Sequence, residues 1–462
     1  MDTPARSPNV LRGLYALLGI VVIGALIAWN WQLSPLLTSI ASNLLRTSSS
    51  IALGDGWIGS PIEPFGERAP LMGTLIGVAG RLGLEPMDAL RATAGAGYAV
   101  GIGGIAMWLR TLNVRPRLML LCGVTLAPMT LLLRASAAEL FFIGGTMMAL
   151  SAMARHLALP SRRWLIIAAG AAGMAGLAHY MAVLTIIPIV VATAVLQRRA
   201  LPTRIRDTAM VAVFAGGPIA IWMVRNQILT GHLTGMDRLT PRLEVMNLSP
   251  WQHTVALGRT ALFDLTGVGT MGTEAAVYTG IAPVQLGWSL AIAAAIISLM
   301  LIATAGAAKA LWEWGARQRQ RPRAEAYAWI LSGIYIALYV CVIIGFWSFV
   351  NNDRIQTRFL VALYPAVLGV VAALPALLGN VTHRRWPPLT ALCALLILLS
   401  MQGWKSSLIL VDHPTEAVVP NQWMLRHKAV AWDWPRWAIR HDAAEQYRLR
   451  SKARSQPVIE VR

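Results

Sequence analysis

Residues 134–180 read RASAAELFFIGGTMMALSAMARHLALPSRRWLIIAAGAAGMAGLAHY, and they decide the fold. Two apolar blocks, Ala137–Ala154 and Trp164–Ala178, flank a short link that carries Arg155, Arg162 and Arg163. Each block is close to the roughly 20 apolar residues that cross a bilayer as a helix. The outer ends of the pair carry Arg134 with Glu139, and His179. Arginine and lysine concentrate on the cytoplasmic side of short membrane loops. The link therefore reads as cytoplasmic, and both outer ends as extracytoplasmic.

The same alternation extends in both directions. Before this pair stand Leu11–Trp29, Ala89–Leu109 and Leu118–Leu133. After it come Tyr180–Leu196, Thr208–Val224, Val284–Ala303, Tyr327–Phe349, Phe359–Leu378 and Pro388–Trp404. Basic clusters punctuate them: Arg110, Arg115 and Arg117; Arg155, Arg162 and Arg163; Arg198, Arg199, Arg204 and Arg206. Two more follow, Lys309 to Arg323 and Arg384–Arg385. Two spans separate each cluster from the next, so all can share the cytoplasmic side. The 225–285 loop instead balances Arg225, Arg238, Arg242 and Arg259 against Asp237, Glu244, Asp264 and Glu274, as a large external loop would.

The first external loop, 31–84, needs a special feature. With Arg6 and Arg12 inside, the first helix leads outward, and Ala89–Leu109 must run inward to reach Arg110. The apolar stretch Pro70–Leu84 between them cannot be an ordinary span. It is short and carries Gly73, Gly77, Gly80 and Gly83, so it is expected to be a juxtamembrane helix on the outer surface. The chain is thus expected to be all-α and polytopic, with about eleven transmembrane helices. Residues 1–404 form the membrane domain, and 405–462 a basic tail. In that tail Trp423, Trp432, Trp434 and Trp437 mix with Arg426, Lys428, Arg436 and Arg440, which suits a surface anchor or a substrate-binding element.

Composition supports this class and excludes others. Hydrophobic residues make up 56% and charged residues 13%, about half the charged share of a soluble domain. The formal charge of +19 lies in short loop clusters. No basic stripe interleaved with aromatics points to nucleic acid. Cys122, Cys341 and Cys393 fall inside apolar blocks and read as small core residues, with neither a disulfide framework nor a metal site in view. The first block is long for a signal peptide and ends in Trp29 and Trp31, so it reads as a retained helix.

The external ends hold a short inventory of chemistry-bearing groups. They are Asp55, Glu63, Glu67, Arg68, Arg134, Glu139, His179, Arg225, Asn226, Asp353, Arg354 and Arg358. Ionisable groups near membrane depth are costly and usually have a partner or a task. A carboxylate can accept a proton from an attacking hydroxyl, and arginines bind phosphate bidentately. At a membrane boundary, the simplest phosphate is a lipid's. Nucleotide-binding glycine loops are absent from the sequence. Blander roles compete: arginines at helix ends snorkel, Glu139 can pair with Arg134, His179 can hold a turn, and Asp55 between Gly54 and Gly56 can shape one. A transporter or flippase of lipid-linked sugars would use the same arginines, although its site would lie at mid-membrane on broken helices. A purely structural membrane subunit is a third reading.

The motifs, in order, resemble the polyprenyl-phosphate-sugar-dependent glycosyltransferases of the GT-C fold. That class includes protein O-mannosyltransferases and the lipid A aminoarabinose transferase. The likeness lies in Gly54-Asp55-Gly56, Phe65-Gly66-Glu67-Arg68-Ala69-Pro70-Leu71 and Leu90-Arg91. It continues in Arg134 to Glu139, in Trp222-Met-Val-Arg225-Asn226 before Gly231, and in Arg358 to Tyr364-Pro365. There are departures: Asp55 lacks an acidic neighbour, His179 stands where the family has Lys or Arg, and Met72 replaces a Tyr.

The resemblance implies a GT-C-like bundle in a bacterial inner membrane, with its active site facing the periplasm or cell exterior. Asp55 would be the general base, with Glu67 orienting the acceptor or sharing that role. Arg68, Arg134, Glu139, His179, Arg225 and Arg358 would bind the donor phosphate and substrate. The implied partners are a polyprenyl-phosphate-linked sugar, a glycan, lipid or protein acceptor, and membrane lipids. No cofactor is expected; members of the class differ in needing a divalent cation, and an isolated Asp55 argues against a metal site.

Overall fold

The computed structural model describes residues 44, 48, 51–53, 69–114, 137–235, 251, 324–349, 363, 365, 366 and 369. All secondary structure among the described residues is helical. The expected spans Leu11–Trp29, Leu118–Leu133, Val284–Ala303, Phe359–Leu378 and Pro388–Trp404 fall wholly or mainly outside them, as do the tail and most of both external loops.

Helix α1, Leu71–Arg81, follows Pro70, whose carbonyl accepts from both the Thr74 amide at 3.0 Å and the Thr74 hydroxyl at 2.7 Å. Gly83 closes it at φ +96, a conformation that favours glycine. Its buried face is Met72, Gly73, Ile76 and Gly77, two adjacent pairs four residues apart. At 11 residues and 1.5 Å per residue it reaches about half the ~30 Å hydrocarbon thickness. The non-spanning helix expected at Pro70–Leu84 is therefore present, within slightly narrower bounds.

Helix α2, Pro86–Thr111, begins with proline in its first turn, where the missing N–H costs nothing. It lies against α3, Ala137–Ala158, along a seam of small residues: Gly101 meets Leu140, and Gly104 meets Gly144. Further along, the Arg155 guanidinium donates to the Thr111 hydroxyl at 3.2 Å. Partners rise together in number, so the two helices are parallel.

Helix α4, Arg162–Ala178, turns back antiparallel to α3, with Gly145 fitting against Ala171 and Ala175. A 3₁₀ turn, Tyr180–Ala182, leads into α5, Val183–Leu196. Helix α5 is parallel to α3 and joined to it by a hydrogen-bonded ladder. Thr146 pairs with Thr185 at 2.9 Å, Thr193 donates to the Met153 sulfur at 3.4 Å, and Gln197 bonds His156 at 3.1 Å. Small and hydroxyl residues are what membrane helix interfaces use, because lipid is as apolar as leucine. The opposite side of α5 exposes Val183, Ile187, Val191 and Val195 at strict fourfold spacing, a lipid-facing stripe.

The expected Thr208–Val224 span is a longer, interrupted run: α6 Leu201–Val211, a π-helical segment Ala212–Gly216, and α7 Gly217–Thr230. Pro218 explains the interruption. Its ring would strike the carbonyl of Phe214 and cannot donate to it, and a wider turn avoids the clash. A Cβ on Gly173 of α4 would lie 2.7 Å from that Phe214 carbonyl, so glycine makes room for it. The run starts earlier than expected because Pro202 initiates it in the first turn.

Helix α8, Ala324–Phe349, packs mainly on α3 and α5 and buries Tyr327, Leu331, Tyr335 and Tyr339. Cys341 overturns its expected core position: it is exposed, in line with Ile334 and Ala337. Hydrophobicity marks a residue as away from water, and in a membrane protein that includes the lipid side. Among the described residues, four helices are long and apolar enough to cross a membrane.

Candidate functional site

The bundle has two chemically different ends. At one, Arg155 of α3 bonds Thr111 of α2, Arg199 donates to the Pro160 carbonyl at 3.1 Å, and Arg199 and Arg206 flank Asp207. The described members of the first three arginine clusters thus share one end. Helices α3, α4 and α7 put Glu139, His179 and Arg225 at the other.

Glu139 sits in the first turn of α3, where the helix N-terminus favours negative charge. It is 5% exposed and lies within electrostatic reach of Tyr339 on α8. A buried carboxylate next to a phenol is an unusual pair to keep in an apolar bundle, where polar groups persist for a structural or chemical reason.

One turn further along α3, Phe142 stacks on His179 with ring centroids 5.2 Å apart and planes 16° apart. His179 follows the last residue of α4 in an extended conformation, and its Nδ1 accepts from the Met181 amide at 3.2 Å. That bond caps the 3₁₀ turn. The structural role weighed for His179 is therefore real; the Nδ1 acceptor leaves the proton of a neutral ring on Nε2.

The next residue, Tyr180, ties α4 to α7. Its hydroxyl oxygen accepts from Trp222 Nε1 at 3.1 Å and from Asn226 Nδ2 at 3.2 Å. Asn226 is fully buried and Trp222 is 3% exposed. Arg225 stacks over the Trp222 ring at 4.5 Å and donates to the Asn226 Oδ1 at 3.1 Å. Trp222, Asn226 and Tyr180 thus hold the base of Arg225, whose side chain stays partly exposed. Gly231 ends α7 at φ +74, with its amide on the Gln227 carbonyl at 3.0 Å, so the chain leaves the helix one turn beyond Arg225.

The structure brings Glu139 and His179 together through Phe142, and His179 and Arg225 together through Tyr180. Asp55, Glu67, Arg68, Arg134 and Arg358 lie outside the described residues. Tyr180 and Tyr339 were not singled out from sequence. The signal for Tyr180 was a phenol directly after the His179 turn, and for Tyr339 its fourfold spacing from Tyr335 in an otherwise apolar helix.

No protein-family model matches the chain, and no curated protein matches it in sequence. In three dimensions it has counterparts. Two crystal structures of ArnT from Cupriavidus metallidurans, one bound to undecaprenyl phosphate and one in the apo state, superpose with a TM-score of 0.52. The alignments cover 86% and 87% of this chain and 77% of ArnT, at 15% and 16% identity. The fold is ArnT-like. The chain is therefore an all-helical polytopic membrane protein, with four helices long and apolar enough to cross a membrane among the described residues. At this identity ArnT establishes the fold, while the chemistry has to be argued from the side chains.

Proposed function

We propose that the chain is a glycosyltransferase that moves a sugar from a polyprenyl-phosphate donor to an acceptor hydroxyl. The transfer takes place outside the cytoplasm, in a bacterial inner membrane. The observation that carries this reading is the ArnT-like fold, whose solved example binds undecaprenyl phosphate. The end of the bundle opposite the arginine clusters supports it, since it gathers Glu139, His179 and Arg225.

Asp55 takes the proton from the acceptor hydroxyl as that oxygen attacks the anomeric carbon. Glu67 orients the acceptor. The bond from the anomeric carbon to the phosphate oxygen breaks, its electron pair leaves on the phosphate, and the configuration inverts. Arg358, with Arg68, Arg134 and Arg225, neutralises the charge that develops on the departing oxygen. Positioned donors are most effective where water is sparse. Glu139 and His179 line the substrate side.

The test is reconstitution of purified protein with a polyprenyl-phosphate sugar and candidate acceptors. Release of free polyprenyl phosphate that requires an acceptor supports transfer. Movement of intact donor between leaflets, without release, overturns it in favour of transport.

A further inference from the structure

The arginine end of the bundle contains a cavity of about 200 Å³ that no step of the proposed transfer uses. Its walls come from separate segments: His156 of α3, Arg162 at the start of α4, Arg199 in the α5–α6 link, and Arg206 and Asp207 of α6. Three guanidiniums against one carboxylate leave an excess of two positive charges.

Asp207 organises this charge without cancelling it. The carboxylate is 4% exposed and accepts from Gln197 Nε2 at 2.7 Å, with Arg206 at 3.4 Å and Arg199 at 3.7 Å. Gln197 Nε2 also donates to His156 Nε2 at 3.1 Å, which leaves the ring proton on Nδ1, and that Nδ1 donates to the Ser161 carbonyl at 2.9 Å. This chain anchors the α3–α4 and α5–α6 turns to each other. Across the cavity, Arg162 has no carboxylate partner among the described residues. It opens α4, whose N-terminus has no side-chain cap from Ser161. Free amides at a helix start and unpaired guanidiniums both attract an anion.

The surroundings indicate the kind of anion. Trp164, in the first turn of α4, lies between Arg155 at 4.8 Å and Arg163 at 5.8 Å. Tryptophan with arginine marks the headgroup level of a bilayer. On α6, the helix that carries Arg206 and Asp207, Leu201 and Ile205 are exposed aliphatic residues on which acyl chains can lie. We propose that the cavity formed by Arg162, Arg199, Arg206 and Asp207 binds the phosphate of an anionic phospholipid headgroup.

The experiment uses the full chain, purified in neutral detergent. Thermal unfolding is followed while dioleoylphosphatidylglycerol, dioleoylphosphatidylcholine or inorganic phosphate is added at matched ionic strength. Phosphatidylglycerol should raise the midpoint, and the other two should not. The double substitution R162Q/R206Q, at two exposed positions, should weaken the phosphatidylglycerol effect about tenfold or more. An equal shift with phosphatidylcholine, or one undiminished in the double variant, overturns the proposal. An equal shift with inorganic phosphate makes this a soluble-anion site and overturns the lipid assignment. Headgroup-photoreactive phosphatidylglycerol added to the unsubstituted protein gives a readout independent of variant folding. Labelling should fall on residues 156–164 and 199–210, and labelling confined elsewhere contradicts the proposal.

Discussion

The His179 ring lies parallel to the Phe142 ring, 5.2 Å away and tilted by 16°, and this stack joins the start of α3 to the end of α4. It fixes where Glu139 stands relative to the turn that leads to Tyr180. Phe142 is 2% exposed, so F142A should cost about 3–5 kcal/mol of stability. H179A removes the acceptor for the Met181 amide and should cost about 1 kcal/mol. A double-substitution cycle should give a coupling of about 0.5–1.5 kcal/mol. Unfolding in mixed micelles measures all three.

The contact of α2 with α3 permits no side chain at its centre. A Cβ on Gly104 would collide with the Gly144 backbone, and one on Gly144 with the Val100 carbonyl. Backbone cannot rotate away as a long side chain can. G144A should therefore destabilise by about 1–3 kcal/mol and lower activity by moving Glu139. By contrast G103A, with open space around its Cβ, should have little effect on either. The thermal midpoints and transfer rates of the two variants make the comparison.

Tyr180 serves α7 through one oxygen. Y180F leaves the Trp222 and Asn226 donors without it, at a cost of about 1–3 kcal/mol for a buried donor that loses its partner. The effect on function should exceed that of W222F, because Asn226 also holds Arg225. A raised donor KM in Y180F, with folded protein by circular dichroism, is the expected result.

The two ends of the bundle should face different compartments. His232 and Arg163 are both exposed and sit at opposite ends. In a cysteine-free background, H232C should react with a membrane-impermeant maleimide from outside the cell, and R163C only after permeabilisation. Reaction of both from the same side would remove the extracytoplasmic placement of Glu139, His179 and Arg225.

Much of this arrangement was legible in the sequence because a bilayer imposes two strong rules. Length fixes which helices span, so the short, glycine-rich stretch at Pro70–Leu84 could be set apart from true spans. Charge fixes direction, so Arg155 and Arg199 could be placed at one end and Arg225 at the other. What was not legible depends on which helix touches which. The Thr146–Thr185 pair, the Gln197 bridge from His156 to Asp207, and the Tyr180 bond to Trp222 join residues 10 to 42 positions apart, and no local pattern encodes them. The π segment at 212–216 was foreshadowed by Pro218 alone. Cys341 was misplaced because lipid and protein core select the same side chains.

Release of polyprenyl phosphate from a polyprenyl-phosphate sugar, compared between the unsubstituted protein and D55N, tests the central claim most directly. A general base typically contributes 10²–10⁴-fold, so D55N should fold normally, bind donor, and release product at least about a hundredfold more slowly. Release by D55N within about twofold of the unsubstituted rate would contradict the account.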